Sequence, residues 1–235
     1  MASARWIGLD VDGCIGNLSP IAIFAAKFDP KKLAELMYAP EMRGETMLIR
    51  PGFADVVSSI AKATREDKII GAFLYSNNKR EETIKFVQEL LNIIAAESPF
   101  CVRPFIAAFH RSAASRCSQG DKNFHDICNM LHCEDLPLPT TADIAFFDDH
   151  VHPLITEIPH YYQVSKYTTW TAVEKLLAPL DALKEVDAET FAVCVAKAFE
   201  LQDKESPCYE NPGVDAEAIA VFLEGIRKFV NAAAV

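Results

Sequence analysis

The stretch RWIGLDVDGC (residues 5–14) decides how this chain folds. Its first half is a short apolar run that ends in an acid, Asp10, which is typical of a buried strand in a parallel sheet. Asp12 and Gly13 then leave the strand in an irregular turn, so that both carboxylates can point into one pocket. An Asp pair beside a glycine is also a common turn former. The Asp10–Asp12 pair alone therefore does not indicate catalysis, and other residues of the sequence must support a chemical role for it.

The rest of the sequence alternates short apolar strands with amphipathic helices. Besides the strand at 5–10, strands are predicted at 68–75, 103–109, 142–147 and 161–164. Helices with one apolar face are predicted near 53–60, at 82–94 and at 121–131. Such alternation implies right-handed crossovers and a parallel sheet with helices on both faces. The predicted fold class is α/β with a Rossmann-like sheet, whose ligands bind at the carboxyl ends of the strands.

Two helical segments are predicted outside this alternation. A small helical insertion, at about residues 18–48, follows the first strand, because apolar residues recur there at helical spacing. A C-terminal helical extension, residues 181–235, is predicted to pack on a main domain formed by residues 1–180. Within that extension, Asp187 and Asp215 look like the N-caps of two helices.

The amino-acid composition indicates which kinds of binding partner and which cellular location to expect. The formal net charge is −10, which makes nucleic acid an unlikely partner because binding a phosphate backbone needs clustered Lys and Arg. No apolar run approaches the ~20 residues of a membrane span, so no membrane contact is predicted. The seven cysteines form an odd, scattered set, which favours reduced thiols and a cytoplasmic location.

Further groups suited to phosphate chemistry stand at other strand ends and at a helix start. Ser76 and Asn77 follow the second strand, where a hydroxyl and backbone N–H groups can hold a phosphoryl oxygen. Lys122 precedes a predicted helix and can neutralise a nucleophile and a transferred phosphate. Asp148 and Asp149 end a very apolar strand, where a hard divalent cation would offset their repulsion.

The order and spacing of these groups resemble the haloacid dehalogenase superfamily of phosphatases. Four segments are similar to its successive motifs, and together they cover roughly residues 5–165. They are WIGLDVDGCIG (6–16), GAFLYSNN (71–78), GDKNF (120–124) and IAFFDDH (144–150). The resemblance implies a fold like that of this superfamily and a magnesium-dependent hydrolysis of phosphomonoesters.

The resemblance also implies a role for each residue. Asp10 is the implied nucleophile, which forms an aspartyl-phosphate, and Asp12 is the implied general acid and base. Ser76 and Asn77 are implied to bind the phosphate, and Lys122 to stabilise its charge.

A bound magnesium ion, Mg²⁺, belongs to the same implied site. Its ligands would be the carboxylate of Asp10, the backbone carbonyl of Asp12 and one acid of the Asp148–Asp149 pair. Asp149 is favoured as the direct ligand, because related families with paired acids often use the second. Asp148 would then support a bound water or Lys122.

One position departs from the usual pattern of the superfamily. Cys14 stands where its members usually have Thr or Val. The swap conserves size, so the turn should survive, but a hydroxyl hydrogen bond is expected to be lost. A separate nucleophilic role for Cys14 is disfavoured, since nothing nearby in the sequence would lower the pKa of its thiol.

Two further segments bear on the substrate. RPGFADVV (50–57) and FFDDHVH (146–152) resemble the smaller-capped branch, which contains magnesium-dependent phosphatases and carboxy-terminal-domain protein phosphatases. The implied substrate is a protein phosphoresidue or a small phosphomonoester. His110, Arg111 and Arg116 precede Lys122 and either grip the substrate, with Arg111 as the favoured contact, or form an exposed basic loop.

Two other functions stay open on the sequence alone. A polynucleotide 3′-phosphatase would share the acidic motifs, but it should carry a basic groove, against which the net charge argues. A non-catalytic binding or scaffold protein could keep the fold without turnover. In that case the C-terminal helices could form a partner surface or a homo-oligomer contact.

Overall fold

The computed structural model describes residues 4–38, 48–110, 121–153, 155, 157–169, 171–204 and 212–232. Five strands and eight α-helices occur in these ranges. In chain order they are β1 (Trp6–Leu9), α1 (Ser19–Ala25), α2 (Pro30–Met37), α3 (Phe53–Arg65), β2 (Gly71–Tyr75), α4 (Glu81–Ala96), β3 (Phe105–Phe109), α5 (Phe124–Cys133), β4 (Ile144–Asp148), β5 (His160–Gln163), α6 (Val173–Leu180), α7 (Ala188–Lys204) and α8 (Pro212–Asn231).

The five strands form one parallel sheet in the order β3-β2-β1-β4-β5. β1 lies at the centre, with Leu9 level with Leu74 of β2 and Phe147 of β4. Because all strands point the same way, the residues that follow β1, β2 and β4 meet at one edge of the sheet. The predicted α/β class with a Rossmann-like parallel sheet is therefore confirmed, including its fifth strand.

Helices cover both faces of the sheet, because alternate strand residues point to opposite sides. On one face, Ile7 and Leu9 join a large apolar cluster with α1 to α4 and α6 to α8. On the other face, Trp6 packs in a second cluster with α5. Gly8 also belongs to this second side, where a Cβ would collide with the rings of Phe73 and Phe146. The central strand can therefore carry only glycine at this position.

The predicted helical insertion corresponds to α1 and α2. Asp29 caps α2 by accepting a hydrogen bond from the backbone N–H of Lys32, at 2.8 Å. Pro30 occupies the first helical position, where its missing N–H leaves no bond unmade. Both helices pack on α4, and residues 39–47 of the predicted insertion lie outside the described residues.

The start of α5 differs from the prediction. The helix begins at Phe124 and not at 121, because the Asn123 side chain accepts a hydrogen bond from the backbone N–H of Asp126, at 2.7 Å. Asn123 is thus the N-cap, a position that this residue type favours. Lys122 consequently stands before the helix, in an extended segment that can reach the strand ends.

One of the two predicted C-terminal caps is correct. Asp187 accepts a hydrogen bond from the backbone N–H of Thr190, at 2.9 Å, and caps α7. The prediction for Asp215 was wrong, because α8 already begins at Pro212 and Asp215 lies in its first turn. Its carboxylate faces the buried Arg50 at 3.7 Å.

Helix α8 is packed against the sheet itself. The ring of Phe222 lies 5.2 Å from that of Phe53 and 5.0 Å from that of Phe147. A Cβ on Gly225 would come within 2.8 Å of the same Phe147 ring. The helix therefore contributes to the main core, and the domain boundary near residue 180 and the homo-oligomer contact stay predictions.

Two expectations from composition concern thiols and membranes. The five cysteines in the described ranges (14, 101, 128, 133 and 194) all carry free thiols. Every helix in those ranges is too short or too polar to cross a lipid bilayer.

Candidate active site

A buried lysine joins the ends of two strands. Lys122 Nζ lies 2.5 Å from Asp10 Oδ1, just beyond β1, and 2.6 Å from Asp148 Oδ2, at the end of β4. All three side chains are buried. The backbone N–H of Asp10 donates to the carbonyl of Phe147 at 2.8 Å, which extends the β1–β4 pairing to the nucleophile candidate. The sequence predicted that these residues would meet, and they do.

The charge of Lys122 is maintained by its neighbours. Burial lowers the pKa of Lys122, but the charges and hydrogen bonds of Asp10 and Asp148 outweigh this effect, so that its pKa is raised overall. The rings of Tyr75 and Phe146 lie 5.7 and 5.5 Å from Nζ. These aromatic faces favour a cation and exclude water from the ion pairs.

The two adjacent acids of the fourth segment have different surroundings. Asp148 is engaged by Lys122 and also accepts a hydrogen bond from the backbone N–H of His150, at 2.8 Å. Among the described residues, neither oxygen of the buried Asp149 side chain accepts a hydrogen bond. The nearest polar group to Asp149 is the imidazole of His150, whose Nδ1 lies 2.9 Å from Asp149 Oδ1 and forms an ion pair with it when protonated.

Burial also shifts the titration of these acids. Burial raises the pKa of Asp149 to about 6, although the contact with His150 acts in the opposite direction; the charge of Asp10 adds to the rise. Burial and the charge of Asp10 likewise raise the pKa of Asp148, although Lys122 acts in the opposite direction. The cluster therefore holds more negative charge than one lysine can offset.

The donor set fits a hard divalent cation. A buried carboxylate whose nearest polar neighbour is one imidazole nitrogen is costly unless a cation offsets its charge. A Cβ on Gly13 would come within 2.7 Å of Asp149 Oδ2, and Gly13 has φ +80°, a conformation that glycine adopts without strain. Carboxylates of Asp148 and Asp149 and a nitrogen of His150 lie within 4.8 Å of one another. The oxygen-rich set suits Mg²⁺ better than a softer metal.

Asp12 lies in the wall of the cleft, together with Ser76 and Asn78. Its Oδ2 accepts hydrogen bonds from Ser76 Oγ at 3.3 Å and Asn78 Nδ2 at 3.2 Å. The side chain is exposed to the cleft, yet surrounding protein removes much of its hydration. That desolvation, followed by the charge of Asp10, raises the pKa of Asp12. A protonated Asp12 is thus easier to reach than an ordinary exposed acid.

Asn78 was not singled out from the sequence, although it stands in the SNN segment that follows β2. Besides its bond to Asp12, its backbone N–H donates to Ser76 Oγ at 2.9 Å. Asn78 therefore orients both the predicted acid and the predicted phosphate-binding hydroxyl.

Some of the predicted residues open onto one cleft of about 730 Å³, whereas the buried Asp148 and Asp149 do not line it. Five predicted residues line it, namely Asp10, Asp12, Ser76, Asn77 and Lys122. Residues that were given no role in the sequence analysis also line it, among them Lys166, Tyr167, His150 and His152. A volume of this size admits a substrate-sized molecule.

The basic segment before Lys122 is only partly covered. Arg111 and Arg116 lie outside the described residues, so their substrate contact stays a prediction. His110 is described, but its Nε2 lies 3.5 Å from Glu81 at the start of α4, and it is absent from the walls of the described cleft.

The thiol of Cys14 keeps a hydrogen bond. Its Sγ is buried and donates to the carbonyl of Phe147 at 3.6 Å. A thiol is a weaker donor than a hydroxyl, so the expected effect of the missing hydroxyl on the rate stays a prediction. Burial, together with the charges of Asp10 and Asp148, raises the pKa of Cys14 well above its ordinary value. This agrees with the prediction that Cys14 is not a nucleophile.

Arg50 supports the turn that carries Asp12. The guanidinium is buried, and Nη2 donates to the carbonyl of Gly13 at 2.9 Å and to that of Ser165 at 2.5 Å. Its charge is balanced by Asp215 of α8, at 3.7 Å. The sequence drew no attention to Arg50, because its partners are distant along the chain.

Replacing Arg50 by Met should lower the free energy of unfolding by about 2–3 kcal/mol, because two buried carbonyls lose a charged donor. Denaturant unfolding monitored by circular dichroism measures the change. Arg103→Met is the control, since Arg103 is about half exposed and pairs with Glu89 on the surface. Equal losses in the two variants would contradict a structural role for Arg50.

Comparison with known proteins adds little at this point. No model of a protein family matches the chain, and no curated protein matches it. Among solved structures, the crystal structure of a candidate beta-phosphoglucomutase from Thermotoga maritima is similar to it, with a TM-score of 0.38. The two chains are 14% identical, and the match covers 77% of this chain and 99% of the other. A similarity this low carries no argument about activity, which must be inferred from the site.

Proposed function

We propose that the chain is a magnesium-dependent phosphatase that hydrolyses a phosphomonoester through an aspartyl-phosphate on Asp10. The main support is the meeting of Asp10, Asp148 and Lys122 at the edge of the sheet. The buried carboxylate of Asp149 lies beside Asp148, within reach of a shared cation. The similarity of the four sequence segments to haloacid dehalogenase superfamily phosphatases supports the same activity.

The reaction needs two steps at two carboxylates. A carboxylate oxygen of Asp10 attacks phosphorus, the bond to the leaving oxygen breaks, and Asp12 gives its proton to that oxygen. Asp12 then removes a proton from a water molecule, which attacks the phosphorus of the aspartyl-phosphate. Inorganic phosphate leaves, and Asp10 is regenerated as a carboxylate.

Other residues hold the reacting groups. Lys122 orients Asp10 through the contact with Oδ1 and brings positive charge close to the phosphoryl oxygens. Ser76 and Asn77 line the cleft beside Asp12 and can donate to the same oxygens. Magnesium, when bound, supplies the further positive charge that a phosphoryl group needs. Asp10, Asp149 and the backbone carbonyl of Asp12 would hold it, while Asp148 stays with Lys122.

Hydrolysis of an aryl phosphate tests this function. Purified protein with Mg²⁺ should release phosphate, and addition of a chelator should stop the release. Failure to turn over aryl phosphate, phosphopeptides and sugar phosphates at any Mg²⁺ concentration would overturn the proposal and favour a binding protein.

Magnesium should also stabilise the folded chain without any substrate. At a concentration one hundred times its Kd, a ligand that binds only the folded state adds about 2.7 kcal/mol to the free energy of unfolding. We expect Asp149→Asn to remove most of the Mg²⁺-dependent rise in melting temperature, whereas the exposed Asp55→Asn should keep it. An unchanged rise in Asp149→Asn would exclude Asp149 as a ligand.

A further inference from the structure

A second cavity, of about 420 Å³, lies between helices α1 and α7 and beside the start of α4. Its walls carry three cations, Lys27, Arg80 and Lys197, and one acid, Glu189. Among the described residues, the side chains of these three cations have no ion-pair or hydrogen-bond partner. In a chain with a net charge of −10, such a grouping forms a local positive region.

The two lysines act on the same point of the cavity. The thiol of Cys194 lines it, and burial raises the pKa of that thiol, whereas the charges of Lys197 and Lys27 lower it and the weaker effect of Asp187 raises it. Lys27 lies just after α1 and Lys197 in the middle of α7, so tertiary packing brings them together. An anion between them would be attracted by both.

Two short segments of the chain connect the active-site cleft with the second cavity, because each supplies lining residues to both. Asn78 lines the cleft and Arg80, two residues later, lines the second cavity. On α1, Ser19 lines the cleft and Ile23 lines the second cavity, as does Ala26 at the C-cap of the helix. Since a helix rises 1.5 Å per residue, the distance along the axis from Ser19 to Ala26 is about 10 Å.

We propose that the second cavity is a subsite for a second anionic group of the phosphoester substrate. The inference rests on the proposed phosphatase function and narrows its substrate class. An extended peptide advances about 3.3–3.6 Å per residue, so an acidic side chain about three residues from a phosphoresidue reaches the subsite. A small molecule with a second phosphate at this distance offers the same chemistry. The planar guanidinium of Arg80 suits both carboxylate and phosphate.

Matched phosphopeptides test the subsite. One carries Glu at the third and fourth positions after the phosphoresidue, and the other carries Gln there. We expect the wild-type chain to show a kcat/KM about tenfold higher for the acidic peptide, mainly through KM, and the preference should weaken as salt increases. In the double variant Lys27→Gln/Lys197→Gln, the two peptides should have nearly equal kcat/KM, while aryl phosphate hydrolysis stays unchanged.

Two controls are needed. One separates binding at the subsite from a general effect of charge, and the other shows whether the subsite takes a peptide carboxylate or a second phosphate. Lys31→Gln/Lys175→Gln removes the same charge at exposed positions outside both cavities and should keep the acidic preference. A linear alkane bisphosphate serves as the small-molecule probe. If the double variant loses activity on the bisphosphate and not on the acidic peptide, the subsite takes a phosphate group.

The subsite and the phosphatase function can fail separately. Aryl phosphate hydrolysis without any preference for the acidic peptide or the bisphosphate would overturn the subsite alone. If no substrate is hydrolysed, the phosphatase function fails, and fluorescence anisotropy still compares binding of the two labelled peptides. Equal Kd values for wild type and Lys27→Gln/Lys197→Gln with the acidic peptide would then overturn the subsite as well.

Discussion

Asp10→Asn should reduce kcat for aryl phosphate hydrolysis by about a thousandfold or more, because an amide cannot attack phosphorus as a carboxylate does. The amide has nearly the same shape, and its Oδ1 can still accept the hydrogen bond of Lys122. The fold should therefore persist, and circular dichroism and thermal melting should resemble those of the wild type. Steady-state release of phosphate measures the loss in rate.

The same variant should form no phosphoenzyme. Rapid quenching of the wild type during turnover should trap an acid-stable mass increase of one phosphoryl group on the peptide that contains residue 10, and Asp10→Asn should show none. Asp55→Asn, on the exposed side of α3, should behave as the wild type in both assays. Wild-type rates in Asp10→Asn would remove Asp10 as the nucleophile.

Lys122→Met should lower the free energy of unfolding by about 3–5 kcal/mol in the absence of metal, because it leaves Asp10 and Asp148 buried without a counter-charge. The methionine side chain has a similar length, so lost packing contributes little. Urea unfolding at neutral pH in a chelator measures the effect. Lys175→Met, at an exposed position on α6, should change stability by less than about 0.5 kcal/mol.

Acid should partly restore the stability of Lys122→Met. Lys122 lowers the pKa of Asp148, so its loss raises that pKa further above the unfolded value. A raised carboxyl pKa costs stability above the unfolded pKa, and this cost is relieved as the pH falls and the carboxyl takes up a proton. The deficit relative to wild type should thus be smaller near pH 5 than at pH 7.5. A deficit that grows on acidification would contradict buried repulsion as its cause.

Much of the fold and half of the site follow from local sequence patterns. Short apolar runs that end in Asp10, Ser76 and Asp148 predict buried parallel strands, and parallel strands bring their carboxyl ends to one edge. The five-stranded sheet and the meeting of these residues with Lys122 were therefore predictable. The starts of α5 and α8 were not predictable. The Asn123 cap and the start at Pro212 compete with residues nearby, Asp121 and Asp215, that are equally plausible helix starts.

Other features depend on contacts between distant parts of the chain. Arg50 reaches Gly13, Ser165 and Asp215, which are separated from it by 37, 115 and 165 residues. No periodicity or motif encodes such a set. The same holds for the second cavity, whose cations come from three separate elements.

By itself, the sequence determined the parallel α/β sheet and the row of acids and polar groups at its carboxyl edge, because burial pattern and strand direction are local properties. Only the tertiary structure decided which partner each of the two neighbouring acids, Asp148 and Asp149, contacts. Asp148 pairs with Lys122, while Asp149 lies beside His150 and makes no ion pair with the lysine among the described residues. The physical reason is that adjacent residues at a strand end point in different directions, so their partners depend on which loops pack above each of them.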